Sequence, residues 1–483
     1  MKNTIPKATV MTHNRTAYQG RFVFVSSAIS IFITSIFAAK LIIMQGQNGE
    51  IRNFFTAQAK SMMKGAFEVS SGDLPGECYI SNEKCFGYFG ITPSLLRIPL
   101  LLLGKDYGFT SSYLIAALVT GLVASCLVLF ELSKLFDFWD NNVKTWDTSA
   151  AVNSKKNYLL LLLMICPGNL LLQLLRPAGQ WEVIAWGSSL CMFGFFFILK
   201  WYQKPSVNNL LLSLFFFILA ANARVTNGLI AFGVSLVCLN KTRNFKSGKK
   251  LTHTVLAVLI GLLPILTTLI VLYLKFNSIF PNLTLHEQVP EVPHWRSILQ
   301  INGGKSVGLT FFLTNMFTYL RPDSIVLSGW NLMPVRPNLL AVTNLFPLPS
   351  GGMYNEPSSS LTNLAPISLV MAVFITLYRA KNLTESNQYT KVKAKDFNFV
   401  RLLSFSSVLG LLITFTFVTS SNRYLGDFVP GAIMFSSFGC LMIMVRREYR
   451  ESKLIFYFLA ALIFIGIVMN IFSTLTRARL GMI

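Results

Sequence analysis

Charge is the scarcest property of this sequence. Only 13% of its 483 residues are Asp, Glu, Lys or Arg, against roughly a quarter in a soluble globular chain. Acidic residues are rarer still, 20 against 42 basic ones. No polar stretch is long enough to fold as a separate soluble domain. Four histidines (His13, His253, His286, His294) fall at no metal-ligand spacing, and the cysteines show no zinc-type spacing. Internal repeats and low-complexity tracts are lacking as well. Inside the apolar runs, Lys40 and Lys275 are the only ionisable residues away from the basic end, and both sit toward the opposite leaflet. Ion-coupled transporters place Asp, Glu or His at mid-membrane, so this absence counts against transport.

Apolar residues fill the space that charge leaves. They make up 53% of the chain, and the mean hydropathy is +0.55. A helix needs roughly 20 apolar residues to cross the hydrocarbon core, and runs of about that length recur throughout. The expected fold is an all-α integral membrane protein, a single polytopic domain over residues 1–483 with about eleven transmembrane helices. The spans fall near 22–44, 112–134, 158–175, 183–200, 208–223, 226–239, 254–275, 362–378, 402–419, 430–445 and 454–475. Residues 1–21 are polar and basic for too long to suit a cleaved signal peptide. They read as a cytoplasmic N-terminus before an uncleaved anchor.

The net charge of +22 divides unevenly across these spans. The N-terminal side holds 25 Lys/Arg and 8 Asp/Glu, net +17; the other side holds 17 and 12, net +5. Such asymmetry is the positive-inside bias. It is not a nucleic-acid footprint, since no nucleic-acid module interrupts the apolar pattern. Parity requires a hairpin within 208–239, and Arg224, with Thr226-Asn227-Gly228 after it, marks the break. The run 91–104, with two prolines and Arg97, is too short to cross and reads as interfacial or re-entrant.

Two large loops then lie on the outer, periplasmic side, 45–111 and 276–361. Each carries an amphipathic stretch expected to lie at the membrane interface or to pack on the bundle. In the first, Phe55, Ala59, Met62 and Ala66 share a face. In the second, Leu309, Phe312, Leu313, Met316 and Leu320 do, between Lys305 and Arg321. Cys126, Cys166, Cys191, Cys238 and Cys440 lie in apolar runs as small core residues. Cys78 and Cys85 lie in the polar first loop, where oxidising conditions would join them in a disulfide.

Arginines gather where the charge bias disfavours them. Arg97, Arg176, Arg224, Arg321 and Arg423 stand at or near the outer ends of spans. A guanidinium fork binds phosphate through paired hydrogen bonds, which suits a lipid carrier whose tail lies in the bilayer. Snorkelling to lipid headgroups is the simpler reading for any one of them. Glu50 lies six residues past the first span, with Arg52 beside it. Glu182 and Asp427 lie close in sequence to Arg176 and Arg423.

Several of these features together resemble the GT-C class of membrane glycosyltransferases. They are a cytoplasmic N-terminus, an acidic residue just after the first span, an amphipathic first outer loop and a large late outer loop. The stretch 76–97 (GECYISNEKCFGYFGITPSLLR), Asn222-Ala-Arg-Val-Thr-Asn-Gly and Arg423-Tyr-Leu-Gly-Asp-Phe-Val-Pro are similar to segments of bacterial proteins of this kind. In size and span count the chain is also similar to phage-borne glucosyltransferases that modify O-antigen. The resemblance implies an inverting transfer from a polyprenyl-phosphate sugar to a cell-surface glycan or lipid-linked acceptor, in a bacterial inner membrane. It implies Glu50 as general base, since an attacking hydroxyl must lose its proton. Substrate binding falls to Arg52, Arg97, Arg176, Glu182, Arg224, Arg321, Arg423 and Asp427, with Tyr88, Trp181, Trp295 and Trp330 as sugar-stacking candidates. Many members carry two adjacent acidic residues where this chain has Asn48-Gly49-Glu50, so Glu68 and Asp73 stay open as bases. No cofactor is implied, and no essential divalent metal. A flippase and a donor-synthesising enzyme would act upstream. An O-antigen polymerase or ligase is one rival reading, and a transporter or flippase of lipid-linked sugars another.

Overall fold

A computed structural model of the chain describes residues 54–73, 78–81, 83–105, 110–135, 179–245, 247–279, 307–320, 325–328, 331–334, 360–378, 394–417, 422–445 and 452–479. The expected spans at 22–44 and 158–175 lie outside these residues. So do the N-terminus 1–21, Glu50, Arg52, Arg176, Arg321, Trp295 and Trp330.

Helices dominate what is described, and the chain is an all-α membrane protein. In chain order they are α1 (Phe54–Met62), α2 (Thr92–Leu95), α3 (Ile98–Leu102), α4 (Thr110–Leu135), α5 (Gly179–Gln203), α6 (Val207–Ala223), α7 (Thr226–Thr242) and α8 (Ser247–Phe276). After these come α9 (Phe312–Leu320), α10 (Leu361–Leu364), α11 (Pro366–Leu377), α12 (Ala394–Ser406), α13 (Leu411–Thr414), α14 (Val429–Val445) and α15 (Lys453–Arg479). Among the described residues six helical stretches are long and apolar enough to cross a membrane: 112–135, 181–203, 248–276, 395–414, 424–443 and 453–470. Three apolar stretches are shorter: Thr92–Leu102, Val207–Ala223 and Pro366–Leu377.

The break at Arg224 is a true reversal of direction. Near one end of the pair, Asn222 Nδ2 donates to Thr267 Oγ1 at 2.8 Å. At the other end Lys241 Nζ lies 4.1 Å from the Tyr202 ring, and Thr254 Oγ1 donates to Thr242 Oγ1 at 3.2 Å. Since α6 starts four residues after α5 ends at Gln203, the start of α6 and the end of α7 share one end of the bundle. The segment 91–104 folds as the two short helices α2 and α3. Thr92–Leu102 would reach about 16 Å as one helix, well short of the roughly 30 Å hydrocarbon core.

One span boundary moves. The expected span 402–419 begins earlier, at Ala394, because Phe397, Val400 and Leu403 form one fully buried face. It breaks at residues 407–410, between α12 and α13. Gly410 is needed there, for a Cβ would stand 2.8 Å from the carbonyl oxygen of Thr226.

The stretches 45–111 and 276–361 hold two β-hairpins that the sequence pattern did not predict. Strand β1 (Cys78–Ser81) pairs antiparallel with β2 (Lys84–Gly87), Ser81 opposite Lys84, and Glu83 takes the positive φ of 63° that so tight a turn demands. Strand β3 (Ile325–Ser328) pairs likewise with β4 (Asn331–Pro334).

The two amphipathic stretches differ in use. On α1, Phe54, Phe55, Gln58 and Ala59 are buried, and the two rings pack edge-on against Phe89. That face is spent on the protein. On the second stretch, Phe311, Asn315 and Tyr319 face inward, while Leu309 (83% exposed), Leu313, Phe317 and Leu320 form an outward apolar stripe.

Candidate functional site at one end of the bundle

The three sequence stretches that carry the GT-C resemblance meet at one place, the bundle end where α6 gives way to α7. The first stretch reaches it through Gly90. A Cβ there would lie 1.9 Å from the Asn222 carbonyl oxygen, so only glycine permits this approach. Two residues later, Thr92 Oγ1 donates to the Leu219 carbonyl at 2.7 Å. The third stretch reaches it through Asp427, and Ser188 of α5 donates to the Gly426 carbonyl at 2.6 Å.

Arg224 stands at the centre. Helix α6 ends at Ala223, and Arg224 itself is extended, with φ −142° and ψ 115°. Its side chain is gripped by Asp427: Nη2 donates to Oδ2 at 2.9 Å, and Nε lies 3.2 and 3.3 Å from the two carboxylate oxygens. Asp427 also accepts from Thr226 Oγ1 at 3.1 Å and Thr414 Oγ1 at 3.0 Å. A carboxylate held by four donor atoms from two segments, 224–226 and Thr414, is fixed in place, and it fixes the arginine in turn. The guanidinium carbon lies 5.1 Å from the Tyr424 ring and 5.3 Å from the Phe417 ring, and those rings stack on each other. Asp427 is buried, while Arg224 keeps 12% exposure. Among the described residues its Nη1 has no hydrogen-bond partner. The arrangement presents one oriented N–H edge of a guanidinium, framed by aromatic rings, to an incoming anion.

A second ion pair lies behind it, on the first turn of α5. Arg97 Nη1 donates to Glu182 Oε1 at 2.6 Å and Nη2 to Oε2 at 2.8 Å. Nη1 also donates to the Pro93 carbonyl, and the guanidinium lies 3.7 Å from the Tyr113 ring. Exposure is 2% and 0%. Beside the pair, Ser94 Oγ donates to Gln58 Oε1 at 2.7 Å. Sequence proximity associates Glu182 with Arg176 and Asp427 with Arg423. The structure joins Glu182 to Arg97 and Asp427 to Arg224, while Arg176 and the Arg423 side chain lie outside the described residues. These two arginines therefore differ: one is enclosed and held through both terminal nitrogens, with its buried Nε unbonded among the described residues, and the other is steadied with an edge open.

The remaining candidates are placed less closely. Glu68 pairs with Lys84 at 3.2 Å on the surface. Its own backbone N–H, and after that the Lys84 amine, hold its carboxyl below the usual carboxylate range. Asp73 ends the single turn Ser71–Asp73. Trp181 is buried in the core. Arg423 lies in the 3-10 turn Asn422–Phe428, and its side chain lies outside the described residues, as does that of Cys78. Cys85 is disulfide-bonded, and Cys126, Cys191, Cys238 and Cys440 are in no disulfide. Among the described residues no three His, Cys, Asp or Glu side chains come together to hold a metal ion. Sequence reasoning missed Thr226 and Thr414 as partners of Asp427. Thr226 stands inside one of the three quoted stretches, but Thr414 carried no signal. Compared with family models, curated proteins and solved structures, the chain finds no match.

Proposed function

We propose that the chain is an inverting membrane glycosyltransferase, moving a sugar from a polyprenyl-phosphate donor to a cell-surface glycan or lipid-linked acceptor. It would act at the outer face of a bacterial inner membrane, with eleven spans and a cytoplasmic N-terminus. The observation that carries this reading is Arg224, oriented by Asp427 with Nη1 open between aromatic rings. A phosphate accepts from such an edge, and a site at a helix junction lets an isoprenoid tail remain in the lipid. In this reading Arg224 binds the donor phosphate and stabilises the charge it gains on leaving. Arg52, Arg176, Arg321 and Arg423 are further ligands. The Glu50 carboxylate takes the proton of the acceptor hydroxyl, whose oxygen bonds to the anomeric carbon as the carbon–oxygen bond to phosphate breaks.

The test is mass spectrometry of surface glycans from cells with and without the gene. An increment of one sugar supports the proposal. A difference of whole repeat units would make the protein a polymerase or ligase instead. Identical glycans in the two strains would overturn it.

A further inference from the structure

Of the two lysines that the sequence places inside spans away from the basic end, Lys40 and Lys275, only Lys275 lies among the described residues, and the site described so far does not use it. It lies in the last turn of α8 and is 3% exposed. Among the described residues no carboxylate answers it. Its Nζ donates to the Gly87 carbonyl at 3.1 Å and to the Phe89 carbonyl at 2.7 Å. Those two carbonyls flank a single residue, Tyr88. The neighbouring Phe276 completes the attachment, its ring edge-on to Phe86 at 5.8 Å and to Tyr79 at 6.5 Å.

The hairpin β1–β2 therefore does not hang free from its turn. Its exit is clasped by an amine, and the clasp encloses Tyr88. Tyr88 packs edge-on to Tyr79 at 5.7 Å and against the Phe89 ring at 4.2 Å. Two residues on, Gly90 touches Asn222, itself two residues before Arg224. Burying an amine is costly unless its hydrogen bonds are met. Carbonyls meet that need here without adding the negative charge that would compete with an anion beside Arg224.

We propose that Lys275 is a positioning residue: by holding the carbonyls on both sides of Tyr88, it sets that ring beside Arg224 as the wall that receives the donor's sugar. The assignment of a sugar rests on the glycosyltransferase reading; the clasp does not.

Two readouts on the full-length protein separate these claims. The first introduces Tyr88→Cys and measures its labelling by a membrane-impermeant maleimide, in the Lys275 background and with Lys275→Met or Lys275→Arg added. The clasp predicts a labelling rate changed at least about fivefold by Lys275→Met and largely restored by Lys275→Arg, which still donates to carbonyls. An unchanged rate overturns the clasp. Thermal unfolding of each variant in detergent identifies any that fail to fold, and for those Lys275→Gln replaces Lys275→Met. The second readout is sugar addition to surface glycans. Tyr88→Ala and Lys275→Met should each lower it about tenfold or more, while binding of a sugar-free polyprenyl phosphate stays unchanged. Normal addition by Tyr88→Ala overturns the wall. Loss of polyprenyl phosphate binding in both variants also overturns it, by making the loop part of the phosphate site. If the unsubstituted protein adds no sugar at all, the proposed function fails, and the labelling result still decides the clasp.

Discussion

Arg97 and Glu182 meet fork to fork, two nitrogens on two oxygens, with 2% and 0% of their side chains exposed. Removing one partner of such a pair strands a buried charge at a cost of about 3–5 kcal/mol, whereas replacing both with apolar residues is far milder. Arg97→Met and Glu182→Leu should each destabilise the protein strongly, and the double variant should recover most of the loss. Thermal or denaturant unfolding in one detergent, run as a double-mutant cycle, measures this. Additive losses would show that the two residues act independently.

The other arginine should fail differently. Arg224→Ala removes an exposed-edge ligand and should weaken binding of a polyprenyl phosphate by about 1.5–3 kcal/mol, the value of a charge-assisted hydrogen bond. Arg224→Lys should not restore it, since an ammonium cannot engage Asp427 and an anion in the same plane. Asp427→Asn should impair binding too, by releasing the guanidinium. Titration of polyprenyl phosphate into nanodisc-embedded protein checks all three.

Among the candidate bases, Glu50→Gln should lower turnover by roughly 100- to 10,000-fold with donor binding retained. Glu68→Gln should leave turnover close to normal. The depressed pKa of Glu68 makes its carboxylate a poorer proton acceptor, and Lys84 already occupies it. Normal turnover by Glu50→Gln would move the base elsewhere.

That same depressed pKa gives a pH signature with a definite sign. The folded-state value lies below the unfolded one, so the Glu68–Lys84 pair contributes above the ordinary glutamate pKa. Its contribution is lost as pH falls through the lower folded value. Because the pair is exposed, the effect is small. The difference in melting temperature between the native chain and Glu68→Gln should be constant near neutrality and should vanish on acidification.

The cysteines offer a chemical count. Cys85 is bonded and four of its fellows are in no disulfide, which leaves Cys78 and Cys166 as possible partners. Cys78 opens the strand that pairs with β2, so the pair should be Cys78–Cys85. Denatured, unreduced protein should take up five alkyl groups and reduced protein seven. Cys166→Ala should leave the difference between them intact.

How much of this was readable beforehand depends on the range of the interaction. The reversal at Arg224 was legible because a charge and a Thr-Asn-Gly run interrupt an apolar stretch, a purely local signal. The pairings were not. Arg97 and Glu182 are 85 residues apart and Arg224 and Asp427 are 203 apart, so nearness along the chain could not reveal these partners. The early start of α12 was hidden because Lys395, Asp396 and Arg401 made its first turns look like loop. In the fold, Tyr202 donates to Asp396 at 2.7 Å and Arg401 donates to the Thr376 carbonyl at 3.2 Å.

Enclosure and oiliness run in opposite directions across this bundle. The stretch 424–443, which takes in most of α14, is wholly covered, yet its mean hydropathy of 1.4 is the lowest of the six long stretches. The stretch 248–276 has the highest, 2.8, with only 28% of its window covered among the described residues. Ser436 and Ser437 show why: a helix surrounded by protein is selected for small side chains that let neighbours approach, and lipid solubility adds nothing. During biosynthesis such a helix gains little by entering lipid alone and depends on neighbours already in place. Mutations that make α14 greasier would ease its entry into the bilayer and spoil its seat.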